Sequence, residues 1–159
     1  MENTENKENN STPTAREEAQ ATIINAVRHR LERTLDEIKD WNIETFPDAN
    51  QSGQLMKLEE ELHEYVVVHD DSENSDKELA DVMIVCAGLR RWGSLVGQHI
   101  LAMILAGANA SQVNALLDLV DNKMAKNRSR VWLKDGDGKY HHDVKLDEPA
   151  NANGENAPA

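Results

Sequence analysis

The chain has 159 residues, enough for one domain with a true hydrophobic core. Its formal charge is −12, from 29 acidic and 17 basic residues, which excludes the basic footprint a general nucleic-acid binder needs. The longest apolar stretch, Leu79 to Leu105, is interrupted by Arg90, Arg91 and Gln98 and makes a poor membrane span.

Residues 1–13 are polar and acidic, rich in Glu, Asn, Ser and Thr, and lack the apolar core of a signal peptide. They read as a disordered tail, as do residues 147–159, because neither stretch can bury enough apolar surface to offset its ordering entropy. The expected domain is therefore 14–146. The only cysteine, Cys86, sits in an apolar run and reads as a small buried hydrophobe. It can form no internal disulfide, and the expected compartment is the cytoplasm.

Four helical segments fill the domain. The first is expected over Ala15–Trp41, with Thr14 as its N-cap and Ile23, Ile24, Val27, Leu31, Leu35 and Ile38 as its apolar stripe. Asn42–Ser52 reads as a loop, since Pro47 biases Phe46 away from helix. The second helix is expected over Gln54–Asp70, with Leu55, Leu58, Leu62, Tyr65 and Val66 apolar, followed by a polar turn over Asp70–Ser75. Ser75 and Glu78 fit a capping box that starts the third helix, which runs through Trp92 and on past Gly93 toward Leu105. The fourth starts near Ala110–Ser111 and reaches Arg130, with Val113, Leu116, Leu117, Val120 and Met124 as its stripe. Trp132–Val144 fits a short hairpin or an ordered tail, and His141-His142 within it suits a flexible tail better than a metal site. The expectation is an all-α fold, an antiparallel four-helix-type bundle with acidic, disordered termini.

Two acidic pairs stand out. Glu61 and Glu64 are three apart on the second helix, and Glu78 and Asp81 are three apart on the third. Positions 78, 81, 82, 85 and 89 form one stripe, and Val82, Val85 and Leu89 turn it toward the core. Glu61 lies beside Leu58, Leu62 and Tyr65 by helical spacing. Carboxylates brought together at low dielectric repel, so they protonate, separate or take up cations. Oxygen-only donors favour hard ions such as Mg²⁺ or Mn²⁺, which suit phosphate chemistry. The alternative is a solvated acidic face with a helix cap.

A basic set follows on the fourth helix. Lys123, Asn127 and Arg130 stand at i, i+4 and i+7, in line with Leu116 and Val120. Such donors can clamp phosphate oxygens, or can simply offset the helix dipole. Trp41, Phe46 and Trp132 flank helix ends and can stack on a base or serve as core lids.

Glu60-Glu61-Leu62-His63-Glu64 is an E-E-x-x-E motif and Glu78-Leu79-Ala80-Asp81 an E-x-x-D motif. Their order and spacing resemble the MazG-like superfamily of all-α nucleoside triphosphate pyrophosphohydrolases. Lys57-Leu58, Trp41 with Phe46-Pro47, and the run from Lys123 to Trp132 add to the likeness. The resemblance implies hydrolysis of (d)NTPs to the monophosphate and pyrophosphate with Mg²⁺ or Mn²⁺. It implies Glu61, Glu64, Glu78 and Asp81 as metal ligands and Glu60 as a catalytic acid serving a second metal or the attacking water. Lys123, Asn127, Arg130, Trp41 and Lys57 are then substrate-binding, and the chain forms a homodimer or homotetramer. The stretch between Arg90 and Gln112 is longer than in minimal relatives. Two other readings stay open: a catalytically silent helical scaffold, and a di-iron carboxylate bundle using Glu60-x-x-His63, for which no second ExxH exists.

Overall fold

The computed structural model describes residues 13–68, 72–135 and 140–142, with residues 72 and 73 described by their backbone alone. The tails expected at 1–13 and 147–159 lie outside these residues except for Pro13. The described chain is mostly helical, in the order α1 (Ala15–Thr45), α2 (Gln51–Val67), α3 (Ser72–Leu89), a 3₁₀ turn (Arg90–Trp92), α4 (Leu95–Ala106) and α5 (Ala110–Ser129). A small antiparallel hairpin ends it, β1 (Trp132–Lys134) and β2 (Tyr140–His142), with Trp132 opposite His142 and Lys134 opposite Tyr140.

The caps explain most boundaries. Thr14 accepts from the Glu17 amide while the Glu17 carboxylate accepts from the Thr14 amide, a complete capping box. Asn50 accepts from the Gly53 amide at 2.7 Å and starts α2 three residues earlier than expected. Asn109 and Gln112 form a second capping box at the head of α5.

Several expectations need correction. The first helix does not stop at Trp41 but runs to Thr45, and Phe46 caps it, so the loop is shorter than Asn42–Ser52. The second helix ends at Val67 rather than Asp70. Ser75 lies inside α3, which includes Ser72 onward, so it is no cap and the turn over Asp70–Ser75 does not extend that far. The third helix does not continue to Leu105. Leu89 leads into the 3₁₀ turn, and Gly93 at φ +64° takes a left-handed conformation that costs other L-residues. A separate α4 follows. His141-His142 is not a loose tail but the second strand of the hairpin.

Helix α3 is the centre of the packing and touches α1, α2, α4 and α5. Val82, Met83, Val85, Cys86 and Leu89 from α3 are buried with Leu35 and Ile38 of α1, Leu58 of α2, Leu101 of α4 and Leu117, Val120 and Met124 of α5. Each fully buried aliphatic chain contributes about 1.5–3 kcal/mol. Cys86 is among them, and burial pushes its thiol up to about 12, so it carries no thiolate at neutral pH. Arg30 ties α1 to α5 through Asn114, Asp118 and Asp121, the last two at 2.7 Å. Gln54 of α2 reaches Val85 while Glu61 meets Asp81, so α2 and α3 run antiparallel. No described helix is long and apolar enough to cross a membrane.

Candidate functional site

Along α2, the positions 54, 57, 61 and 64 recur at intervals of three and four, so Gln54, Lys57, Glu61 and Glu64 share one face. Along α3, Asp81, Val85 and Gly88 do the same. The two faces oppose each other, and all of these residues except Gly88 wall a cavity of about 440 Å³. That volume falls within the usual range for small-molecule sites. The C-terminal end of α1, the end of α5 and the hairpin supply the remaining walls.

One end of the cavity is acidic. Glu61 and Asp81 line it, and their oxygen atoms lie within 4.8 Å of each other and of Glu78, which stands just off the wall. Glu61 is buried, 6% exposed, because it follows buried Leu58 by three residues on the core side of α2. A lone carboxylate there would be costly, and the Lys57 ammonium sits 2.7 Å from it. Lys57 also reaches Glu60 at 3.4 Å. Across the interface, Lys123 of α5 donates to Asp81. Burial raises the pKa of both Glu61 and Asp81 from their ordinary values. The two lysines pull those values back, while the mutual charge of Asp81 and Glu64 pushes Glu61 further up. Burial alone would lower the Lys57 pKa, but Glu61 and Glu60 outweigh it and raise it.

Three of the four expected ligands thus converge. Glu64 lines the same cavity but is exposed and stands outside the three-carboxylate group. Glu60 lines the cavity beside Lys57. Asn127 lines it from α5 and Arg130 from the residue just after that helix, with the Arg130 guanidinium donating to the Asn127 side chain at 2.9 Å. Lys123 is engaged with Asp81 rather than standing on the cavity wall. His63 is exposed, and among the described residues no histidine joins the carboxylate group.

The other end is aromatic. Phe46 is the hub, with ring centroids 5.1 Å from Trp41, 5.1 Å from Trp132 and 4.7 Å from Tyr140. These are edge-to-face or tilted contacts, the favourable geometries for aromatic quadrupoles. His142 adds a ring 5.9 Å from Trp132. The Trp132 indole donates to the Asn127 carbonyl at 3.0 Å, which closes the end of α5 against the hairpin. Lys134 reaches Asp48 at 3.3 Å and clips the hairpin to the loop after α1.

Sequence reasoning missed Asn42, Gln54 and Tyr140 as parts of this wall, and Arg91 as the group that binds Asn42 and Phe46 from behind it. A signal existed for Asn42. Leu35, Ile38 and Asn42 continue the stripe of α1 at three and four, and assigning 42–52 to a loop hid it. Tyr140 carries no such signal, because only the hairpin pairing brings it to Phe46. The chain matches no family profile, no curated protein and no solved structure.

Proposed function

We propose that the chain is a divalent-cation-dependent nucleoside triphosphate pyrophosphohydrolase that releases a nucleoside monophosphate and pyrophosphate. The observation carrying this reading is one cavity walled by Glu61 and Asp81, which cluster with Glu78 just off its wall, and by four aromatic rings at the other end. The acidic end suits Mg²⁺ or Mn²⁺, because all three donors are hard carboxylate oxygens. Bound there, the ion supplies charge neutralisation of phosphoryl oxygens and a more acidic water.

The chain's own groups then take distinct parts. Glu61, Glu78 and Asp81 hold the cation, with Glu64 at the margin. Glu60 orients the attacking water. Asn127 of α5 and Arg130 just after it bind phosphate oxygens. Lys123 now neutralises Asp81. It is placed to shift to the substrate's phosphates once that carboxylate is otherwise neutralised. Trp41 and its aromatic neighbours hold the base, and Lys57 favours the ionised form of Glu61 against its burial. The same reading takes α1, α2, α3 and α5 as an antiparallel four-helix-type bundle in a cytoplasmic homodimer or homotetramer. The exposed apolar residues Ile23, Ile24, Leu95, Val96 and Met103 support an assembly of that kind.

One observation favours a second reading. Buried Glu61 and half-buried Asp81 already have an ammonium partner each, as a catalytically silent scaffold would require. A panel of common ribo- and deoxynucleoside triphosphates with Mg²⁺ or Mn²⁺ separates the two. Pyrophosphate release that vanishes in Glu61→Ala and Asp81→Ala is expected. No turnover with either ion, and no ion-induced rise in melting temperature, would establish the scaffold instead. The di-iron reading has no histidine in the cluster to support it.

A further inference from the structure

Beyond the acids and the rings, the cavity has a third chemical feature at the depth of the α2–α3 interface. Asn42, only 3% exposed, and Gln54 bring two carboxamides to the wall beside the aromatic group. Gly88 of α3 makes room for them. A Cβ there would lie 2.9 Å from the Asn42 Nδ2 and 3.1 Å from the Gln54 Nε2. Alanine at this position would therefore press on both amides at once.

The orientation of Asn42 is set by Arg91. The guanidinium donates to the Asn42 Oδ1 at 3.3 Å, to the Phe46 carbonyl at 2.9 Å and to the Pro47 carbonyl at 3.3 Å. A guanidinium can only donate, so the oxygen of the Asn42 amide must face it. The NH₂ is left on the side of Gly88 and Gln54. Arg91 therefore caps the carbonyl end of α1 and fixes a donor at the cavity wall in one step. Gln54 is tethered as well, its Nε2 donating to the Val85 carbonyl at 3.4 Å.

The placement along the helices is informative. Gln54 precedes Glu61 by seven residues, and Gly88 follows Asp81 by seven. At 1.5 Å rise per residue, the amide pair stands roughly 10 Å from the acids. That is about the span of a nucleoside unit between its α-phosphate and the far edge of its base. We infer that Asn42, held by Arg91 and set against Gly88, is a specificity-determining donor that selects nucleobases presenting a ring carbonyl, such as uracil or hypoxanthine, over those presenting an amino group there. This rests on the nucleotide reading above. A fixed donor pairs with a keto oxygen and is left facing an NH₂ donor in the amino base, which leaves both groups without partners.

The test compares two couples of bases that differ in the keto or amino group at that position and in the proton on the adjoining ring nitrogen. Deoxyuridine and deoxycytidine, and inosine and adenosine, are titrated into the full chain, with the tryptophan indole N–H signals followed by NMR. In parallel, kcat/KM is measured for dUTP, dCTP, dITP and dATP with Mn²⁺. Roughly tenfold or greater preference for the keto member of at least one pair is expected in both measurements. Asn42→Asp keeps the shape and the Arg91 contact but exchanges the donor for an acceptor, so the ratio should fall to about one or invert. Gly88→Ala should flatten the ratio too, and it serves where Asn42→Asp does not fold. Equal affinity for keto and amino members in the wild-type chain overturns the inference, as does an unchanged ratio in a folded Asn42→Asp. Keto-selective nucleoside binding without pyrophosphate release leaves the inference standing and overturns the hydrolase reading. Pyrophosphate release without keto selectivity does the reverse, and absence of both overturns both.

Discussion

The two halves of α1 have the same apolar spacing and opposite fates. In the C-terminal half, Leu35 and Ile38 are buried at 4% and 1% exposure, and the helix delivers Trp41, Asn42 and Phe46 to the cavity. In the N-terminal half, Ile23 and Ile24 stand 59% and 44% exposed. They border a second, open groove shared with the end of α4 and the start of α5. Arg30 marks the changeover, since its contacts to Asp118 and Asp121 are where α5 meets α1. A hydrophobic stripe shows that a face is apolar. Whether the chain itself covers that face depends on where another helix ends, which is a tertiary matter.

The strongest way to sharpen this contrast is to remove the acids at the covered end. Asp81→Ala should lower pyrophosphate release by roughly 10²–10³-fold or more, the usual loss when a group that stabilises developing charge is removed. It should also abolish any Mg²⁺- or Mn²⁺-induced rise in melting temperature. Activity retained within a few-fold would separate the carboxylate cluster from the chemistry. The second change acts on packing. Ile38→Ala opens a cavity among Leu35, Leu89 and their neighbours and should cost about 2–5 kcal/mol in urea unfolding. A loss below 1 kcal/mol would mean that the covered half of α1 is held more loosely than its burial implies.

How far the sequence disclosed this division depends on the kind of signal involved. The carboxylates were legible, because Glu61, Glu78 and Asp81 are polar residues at core-facing helical positions, and that conflict is visible in periodicity alone. The central helix was legible for the same reason, through Val82, Val85 and Leu89. The exposed Ile23, Ile24 and Val66 were not, because period gives a face and not its cover. The break at Gly93 was also misread. A glycine within an apolar run is tolerated in helices, and its positive φ follows from how α4 turns back onto α3. The aromatic cluster was visible as three rings near helix ends. Its assembly depends on Arg91 binding the carbonyls after α1 and on the pairing of Trp132 with His142, neither of which leaves a local pattern.

A smaller effect is expected from the charge of the acidic end itself. Burial raises the pKa of Glu61 and Asp81 in the folded chain above their unfolded values. Over the window from the ordinary carboxylate range up to those raised values, the folded state binds more protons than the unfolded one. Stability therefore falls as pH rises through that window, and the penalty is complete above the folded pKa and absent below the unfolded one. Glu61→Gln should raise the melting temperature of the metal-free protein at neutral pH and flatten its fall across the window. The gain should be smaller than the Ile38→Ala loss, since Lys57 already offsets part of the penalty. With Mn²⁺ added, the order should reverse, because the wild-type chain gains a ligand that the variant holds less well. A melting temperature that drops in metal-free Glu61→Gln would show that the Lys57 pair is worth more than the desolvation of its carboxylate.

The smallest effect belongs at the open end. Ile23→Ser replaces an exposed side chain in a stretch where α1 has few neighbours, so in dilute solution it should change stability by no more than about 0.5 kcal/mol. It should leave pyrophosphate release and cation binding unchanged, since Ile23 lies outside the acidic and aromatic walls. Concentration is the informative variable. If a second copy covers Ile23, Ile24 and the neighbouring groove, the wild-type melting temperature rises with protein concentration by mass action, and the rise is weaker in Ile23→Ser. Sedimentation should then show a larger species for the wild type that the variant loses. Identical, concentration-independent melting for both would mean that the apolar half of α1 is left to solvent and would remove the support it gives to an assembled enzyme. The contrast between the two halves of α1 would then be intrinsic to one chain, with the cavity and its chemistry complete in a single copy.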